Sequence, residues 1–186
     1  MIAYHGTIVG GLHVLMPFEN PQSSLGYACV YLSTNKVLAS IYIWDKEYKL
    51  MTFGIGNDGK PVYTEFFKDS LLEFYSGVKG YIYKCDAEFY SDESTNISCA
   101  VISRDPVYIQ DVDVVNDAYE RILQYEQQGL LVINRYNTLS EEQKKRHKRL
   151  IIDTINKYDL LKYEHPLSSV ISKKFPEIWE EAIRDR

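Results

Sequence analysis

The spacing of apolar residues changes once along this chain, near Asp113, and that change limits what it can fold into. Before Asp113, short apolar runs alternate with turn residues. After it, apolar residues recur at three- and four-residue intervals between helix start and stop signals. Short strands followed by a run of helices give an α+β architecture. At 186 residues the expected form is one domain, a β-rich core over 1–112 with a helical extension over 113–186 packed on it.

Individual elements can be read from local signals. Ile2 to Val9, Cys29 to Leu32, Leu50 to Ile55, Pro61 to Tyr63, Gly80 to Cys85, Ala100 to Ser103 and Val107 to Gln110 read as strands. Asn57-Asp58-Gly59 is a turn signal between two of them. Residues 13–27, with Pro17, Pro21 and Gly26, read as a loop, and Gly10-Gly11 as a bend after the first strand. Ser33 or Thr34 can cap a helix whose apolar face is Val37, Leu38, Ile41 and Tyr42. Helical spacing also spans 64–76, with Gly77 as its stop, and Asp117 to Gln128, with Gly129 as its stop. Ser140 with Gln143 forms a capping-box pattern that opens a helix through about Ile155, and 165–186 adds one or two short helices.

Composition excludes several classes. Hydrophobic residues are 45% and charged residues 25% of the chain, a globular profile. No apolar run is long enough to span a bilayer. No basic segment followed by an apolar core opens the chain, so the expected setting is cytoplasmic. Cys29, Cys85 and Cys99 lack CxxC spacing and read as reduced thiols. No glycine loop of the phosphate-binding type is present, and His5, His13, His147 and His165 lack metal-ligand spacing, so no metal is expected. His165 before Pro166 reads as structural. His147, inside the basic stretch Lys144 to Arg149, reads as part of a solvated helix face. The net charge of −5 weighs mildly against broad nucleic-acid binding, and that basic stretch leaves it open.

The chain opens with Tyr4-His5-Gly6-Thr7. Histidine and glycine are poor strand fillers, so either the segment is an ordinary turn or its backbone comes close to something there. Tyr31 and Tyr42 have ten residues between them, one at a strand end and one on the next helix. Two phenol rings so placed can sandwich a flat aromatic ring.

Together, YHGT and VYLSTNKVLASIYIW (residues 30–44) resemble the diphtheria toxin and poly(ADP-ribose) polymerase branch of ADP-ribosyltransferases. The resemblance covers roughly the first 110 residues and implies a split β-sheet core, with NAD as co-substrate. It implies that His5 hydrogen-bonds the adenosine-side ribose, that Gly6 and Thr7 help form the cofactor site, with Gly6 offering backbone to the nicotinamide carboxamide, and that Tyr31 and Tyr42 stack on the nicotinamide. It also implies a glutamate at the start of a late strand, where a carboxylate near the ribose 2′-OH stabilises an oxocarbenium-like transition state. That position falls on Ala100.

Three explanations stay open: an engineered Glu→Ala change that silences a toxic enzyme, a natural pseudoenzyme that keeps the pocket, or a loop acid such as Glu93 acting instead. Glu88 and Asp92 are nearby, and Glu65 falls on the wrong element. The expected function is a mono-ADP-ribosyltransferase toxin acting on a protein or a nucleic acid, with an antitoxin as possible partner. The alternatives are a silent NAD- or partner-binding protein and, ranked lower because HGT opens the chain, an RNA 2′-phosphotransferase.

Overall fold

A computed structural model describes residues 1–20, 24–46, 48 and 50–184. Pro21 of the expected 13–27 loop lies outside the described residues. The described strands are β1 (Ile2–Thr7), β2 (Val14–Leu15), β3 (Val30–Ser33), β4 (Met51–Ile55), β5 (Pro61–Glu65), β6 (Gly80–Asp86), β7 (Tyr90–Ser91), β8 (Ala100–Ser103), β9 (Val107–Val115) and β10 (Val132–Asn134). The helices are α1 (Lys36–Ser40), α2 (Ser70–Tyr75), α3 (Ala118–Gln127), α4 (Glu141–Lys157), α5 (Pro166–Lys174) and α6 (Pro176–Arg184). Strands dominate before Asp113 and helices after it, so the mixed α+β class holds.

Seven strands form one sheet in the order β2-β9-β6-β1-β3-β8-β7, and three form another in the order β10-β5-β4. The ladders flanking the middle of the large sheet are long. β1 runs antiparallel to β6 from Ile2↔Asp86 to Thr7↔Tyr81. β3 runs antiparallel to β8 from Val30↔Ser103 to Ser33↔Ala100. Between these halves, β1 and β3 meet in register at Tyr4↔Ser33 alone among the described residues. The sheet therefore opens along its midline directly after Tyr4, where His5-Gly6-Thr7 begins.

One face of this sheet carries Ala3, Val30, Leu32, Cys85, Val101 and Val107 as a buried apolar layer, with Leu15 from β2 joining it. The opposite face receives α1 and the turn after it, where Val37, Leu38, Ile41 and Ile43 are buried. Alternation along each strand sends successive side chains to these two faces.

Packing divides the chain into two compact units. The first comprises 1–45, 53–63 and 71–133, and the second 46–52, 64–70 and 134–186. Packing thus draws the boundary differently from the expected 1–112 and 113–186. β9 continues to Val115, and α3 belongs to the first unit. In the second unit, α4 opens with the full reciprocal capping box of Ser140 and Gln143. Lys148 on α4 pairs with Glu181 on α6. The Glu65 carboxylate, in the second unit, accepts the Tyr136 N–H at 3.0 Å.

Several element expectations need correction. β2 lies inside the segment read as a loop. β3 runs to Ser33, so Tyr31 sits inside a strand and not at its end. The helix expected over 64–76 is confined to Ser70–Tyr75 because Thr64 and Glu65 extend β5 and Asp69 adopts a left-handed φ of 62° just before the helix. Helix α1 ends at Ser40. Neither Ser33 nor Thr34 caps it: the Asn35 side chain accepts from the Val37 and Leu38 N–H groups. The Ser33 hydroxyl instead accepts the Asn35 N–H at 3.0 Å. Tyr42 therefore lies beyond the helix, in a tight turn whose N–H groups bond three residues back. His147 is buried at 7% exposure and stacked on Phe66, with ring centroids 4.3 Å apart and planes 7° apart. It is not solvated. Helical spacing shows that it lies on a charged helix, not that this position faces inward. His165 caps α5 with its own ring nitrogen, which accepts the Leu167 N–H at 3.1 Å.

Candidate functional site

His5 stands where the two halves of the sheet part. Its Nδ1 lies 2.9 Å from the Tyr31 carbonyl oxygen. A carbonyl only accepts, so Nδ1 carries the proton. Burial holds the imidazole pKa below its ordinary value of 6.5, although the Tyr31 carbonyl pulls the other way. The ring is therefore neutral at pH near 7 with Nε2 as an acceptor. An imidazole fixed in this tautomer is suited to accept a hydrogen bond from a hydroxyl. Its link to Tyr31 also bridges β1 and β3 beyond the point where their ladder stops.

Gly6 is explained by packing as well as by any ligand. A Cβ there would lie 1.9 Å from the Ala39 carbonyl oxygen of α1. Gly80, on the neighbouring β6, is under the same pressure: a Cβ would lie 2.3 Å from Ile43 Cγ2. The two glycines make a floor onto which residues 39–43 are pressed. Thr7 makes a local contact, its hydroxyl accepting the Val9 N–H at 3.2 Å.

The turn carrying Tyr42 is pinned from above too. The Tyr75 hydroxyl donates to the Ile41 carbonyl at 2.8 Å. Lys36 of α1 pairs with Asp113 at 2.7 Å, and Arg121 grips the same carboxylate with both terminal nitrogens, at 2.6 and 3.2 Å. Burial pushes the Asp113 pKa up, but these two cations outweigh it and hold the carboxyl below its ordinary range.

The two tyrosines keep aromatic company. Tyr31 is tilted against Phe18 at 5.4 Å between centroids. Tyr42 packs with Trp44 at 5.8 Å and edge-on to Phe53 at 5.3 Å. Tyr42 is 39% exposed as a whole residue. Its phenol pKa is nonetheless pushed up to about 12, by burial first and then by the neighbouring Asp92 and Cys99. The exposure belongs to the residue and the shift to its hydroxyl, so Tyr42 stays an O–H donor beside an acid.

Ala100 opens β8 as expected, opposite Ser33. Of the loop acids that the sequence offers, Asp92 is the one that lies beside Ala100. β7 lies against β8 with Ser91 opposite Val101, and the Asp92 N–H donates to the Ala100 carbonyl at 3.0 Å. Asp92, Ala100, Ser33 and Tyr4 thus form one row across four neighbouring chain segments. Asp92 is buried at 7% exposure, and its Oδ1 accepts from the Ser94 N–H and hydroxyl. Glu88 and Glu93 are exposed. In sequence, Ser91-Asp92-Glu93-Ser94-Thr95 looks like any polar loop; only the long-range register reveals the row.

Among the described residues, no group of three or more His, Cys, Asp or Glu side chains is placed to hold a metal ion. Among them, too, no helix is long and apolar enough to cross a membrane. Cys29 and Cys85 are buried and Cys99 is partly buried, all as free thiols. No protein-family model, no curated protein and no solved structure matches the chain.

Proposed function

We propose that this chain is an NAD-dependent mono-ADP-ribosyltransferase whose NAD pocket opens where β1 and β3 separate. The observation that carries the reading is the pairing of that opening with His5. Among the described residues the ladder is in register at Tyr4↔Ser33 alone, and His5, next in sequence, bonds the Tyr31 carbonyl and presents a neutral ring. A neutral Nε2 acceptor beside a sheet opening is suited to a ribose hydroxyl. Tyr31 in β3 and Tyr42 in the turn after α1 supply aromatic surface for the nicotinamide. Gly6 brings backbone to the same place, though its lack of a side chain is also required by Ala39.

In this reading NAD is the co-substrate and a protein or nucleic acid is the acceptor. A toxin working in the cytoplasm, held in check by a protein antitoxin, is the setting that suits such an enzyme. The test is incubation of the chain with NAD and candidate protein and nucleic-acid acceptors, followed by mass spectrometry. The expected result is an acceptor heavier by one ADP-ribosyl group, lost in His5→Ala. NAD that stays intact with every acceptor, and does not bind, contradicts the reading.

A second reading, a silent NAD-binding protein, draws on one observation: the position at the head of β8 is Ala100, which has no acid to offer. It expects NAD binding without release of nicotinamide.

A further inference from the structure

Breaking the bond between nicotinamide and ribose requires a negative group near the ribose, because positive charge develops at C1′ as the electron pair leaves with the nicotinamide nitrogen. Ala100 cannot supply it. The sheet places an acid one chain segment further along the same row. Neighbouring strands lie about 4.8 Å apart, and the Asp92 N–H bonds the Ala100 carbonyl directly. Asp92 directly follows β7, in which Tyr90 lies opposite Ile102 and Ser91 opposite Val101; continuing that alternation puts its side chain on the face of Ala100 and Ser33. Tyr31 and Ile102, two residues on in β3 and β8, share that face.

Three features set Asp92 apart from the other acids of residues 86–98. It is buried, whereas Asp86, Glu88 and Glu93 are exposed. Its Oδ1 is held by two hydrogen bonds from Ser94, which fixes the carboxylate and leaves Oδ2 for another donor. Its charge is felt at the phenol of Tyr42, which puts the acid and one expected nicotinamide-stacking ring in the same neighbourhood.

We propose that Asp92 is the catalytic carboxylate, with its Oδ2 reaching past the small Ala100 to accept a hydrogen bond from the ribose 2′-OH. The proposal rests on the ADP-ribosyl transfer reading. In the step, the C1′–N bond breaks and its electron pair neutralises the departing nicotinamide ring. The acceptor oxygen or nitrogen, or water, then forms the new bond at C1′ and gives up its proton to solvent. Asp92 stabilises the cation in between without itself changing covalently. Ala100 is small because a larger residue would stand between the carboxylate and the sugar.

The experiment measures NAD affinity and nicotinamide release for the full chain, Asp92→Asn, and Asp92→Asn combined with Ala100→Glu. Asparagine keeps an acceptor for Ser94, and thermal unfolding verifies the fold. The expected result is release by the unaltered chain, a fall of about 10²–10³-fold in Asp92→Asn at little-changed NAD affinity, and recovery when Ala100→Glu returns an acid to the row. Release undiminished in Asp92→Asn overturns the proposal and leaves the transferase reading standing. NAD that binds the unaltered chain without being cleaved overturns the proposal in favour of a silent binding protein. NAD that neither binds nor is cleaved overturns both.

Discussion

At the scale of single residues, Gly6 shows how packing can account for a glycine that the sequence reads as a ligand contact. From sequence, a glycine after His5 suggests close approach to a ligand. In the structure the approach is to the Ala39 carbonyl. Gly6→Ala must push α1 off the sheet, and overpacking of this kind costs about 1–3 kcal/mol. Urea unfolding of Gly6→Ala measures this; stability equal to that of the unaltered chain contradicts the packing role. Two histidines make a second residue-scale prediction. His5 and His147 both have a pKa held below 6.5, by burial in each case, with Arg146 adding to the effect at His147. Between the lowered folded value and 6.5 the unfolded chain binds more protons than the folded one, so stability rises with pH there and is lost on acidification. Above about pH 7.5 these groups contribute no slope. Unfolding free energy measured downward from that pH is expected to fall, and His147→Phe, which keeps a ring on Phe66, is expected to fall less steeply. Equal slopes in the two proteins contradict this.

At the scale of elements, α1 and the turn after it carry the most consequence for the least sequence. The helix has five residues, too few to be stable alone. It is held by the Asn35 cap, by Lys36 on Asp113, by the floor of Gly6 and Gly80, and by Tyr75 on the Ile41 carbonyl. Asn35→Ala is expected to cost about 1 kcal/mol. Asp113→Asn, which weakens charge-assisted bonds to both Lys36 and Arg121, is expected to cost about 1.5–3 kcal/mol. Chemical denaturation reads both, and a loss in Asp113→Asn no larger than that in Asn35→Ala contradicts the importance given to the carboxylate. Local signals located this helix but misplaced its ends. The apolar face of Val37, Leu38, Ile41 and Tyr42 fits a longer helix equally well, and the anchors that end it lie far away in sequence.

At the scale of the whole molecule, the change of apolar spacing near Asp113 correctly gave a mixed α+β chain. Capping box, hairpin turn and most strand positions were legible because each rests on neighbours in sequence. The sheet order was not, because pairing β1 between β6 and β3 depends on contacts tens of residues apart. The same limit explains the site. His5, Tyr31 and Tyr42 stand out by residue type and spacing, whereas the Asp92 row exists only once β7, β8, β3 and β1 lie side by side. The inward-facing position of His147 is not legible because charged neighbours on a helix do not report which way one residue points.

NAD binding where β1 and β3 part, against the Nε2 of His5, is the proposal on which the others depend. Its most direct test is titration of NAD into the full chain with nitrogen-labelled histidine, followed by imidazole NMR. The expected result is that the His5 Nε2 resonance moves saturably while Nδ1, held on the Tyr31 carbonyl, changes little, and that Tyr42→Ala weakens the response. A His5 ring that is unmoved at saturating NAD, or one whose Nδ1 is the nitrogen that responds, contradicts it.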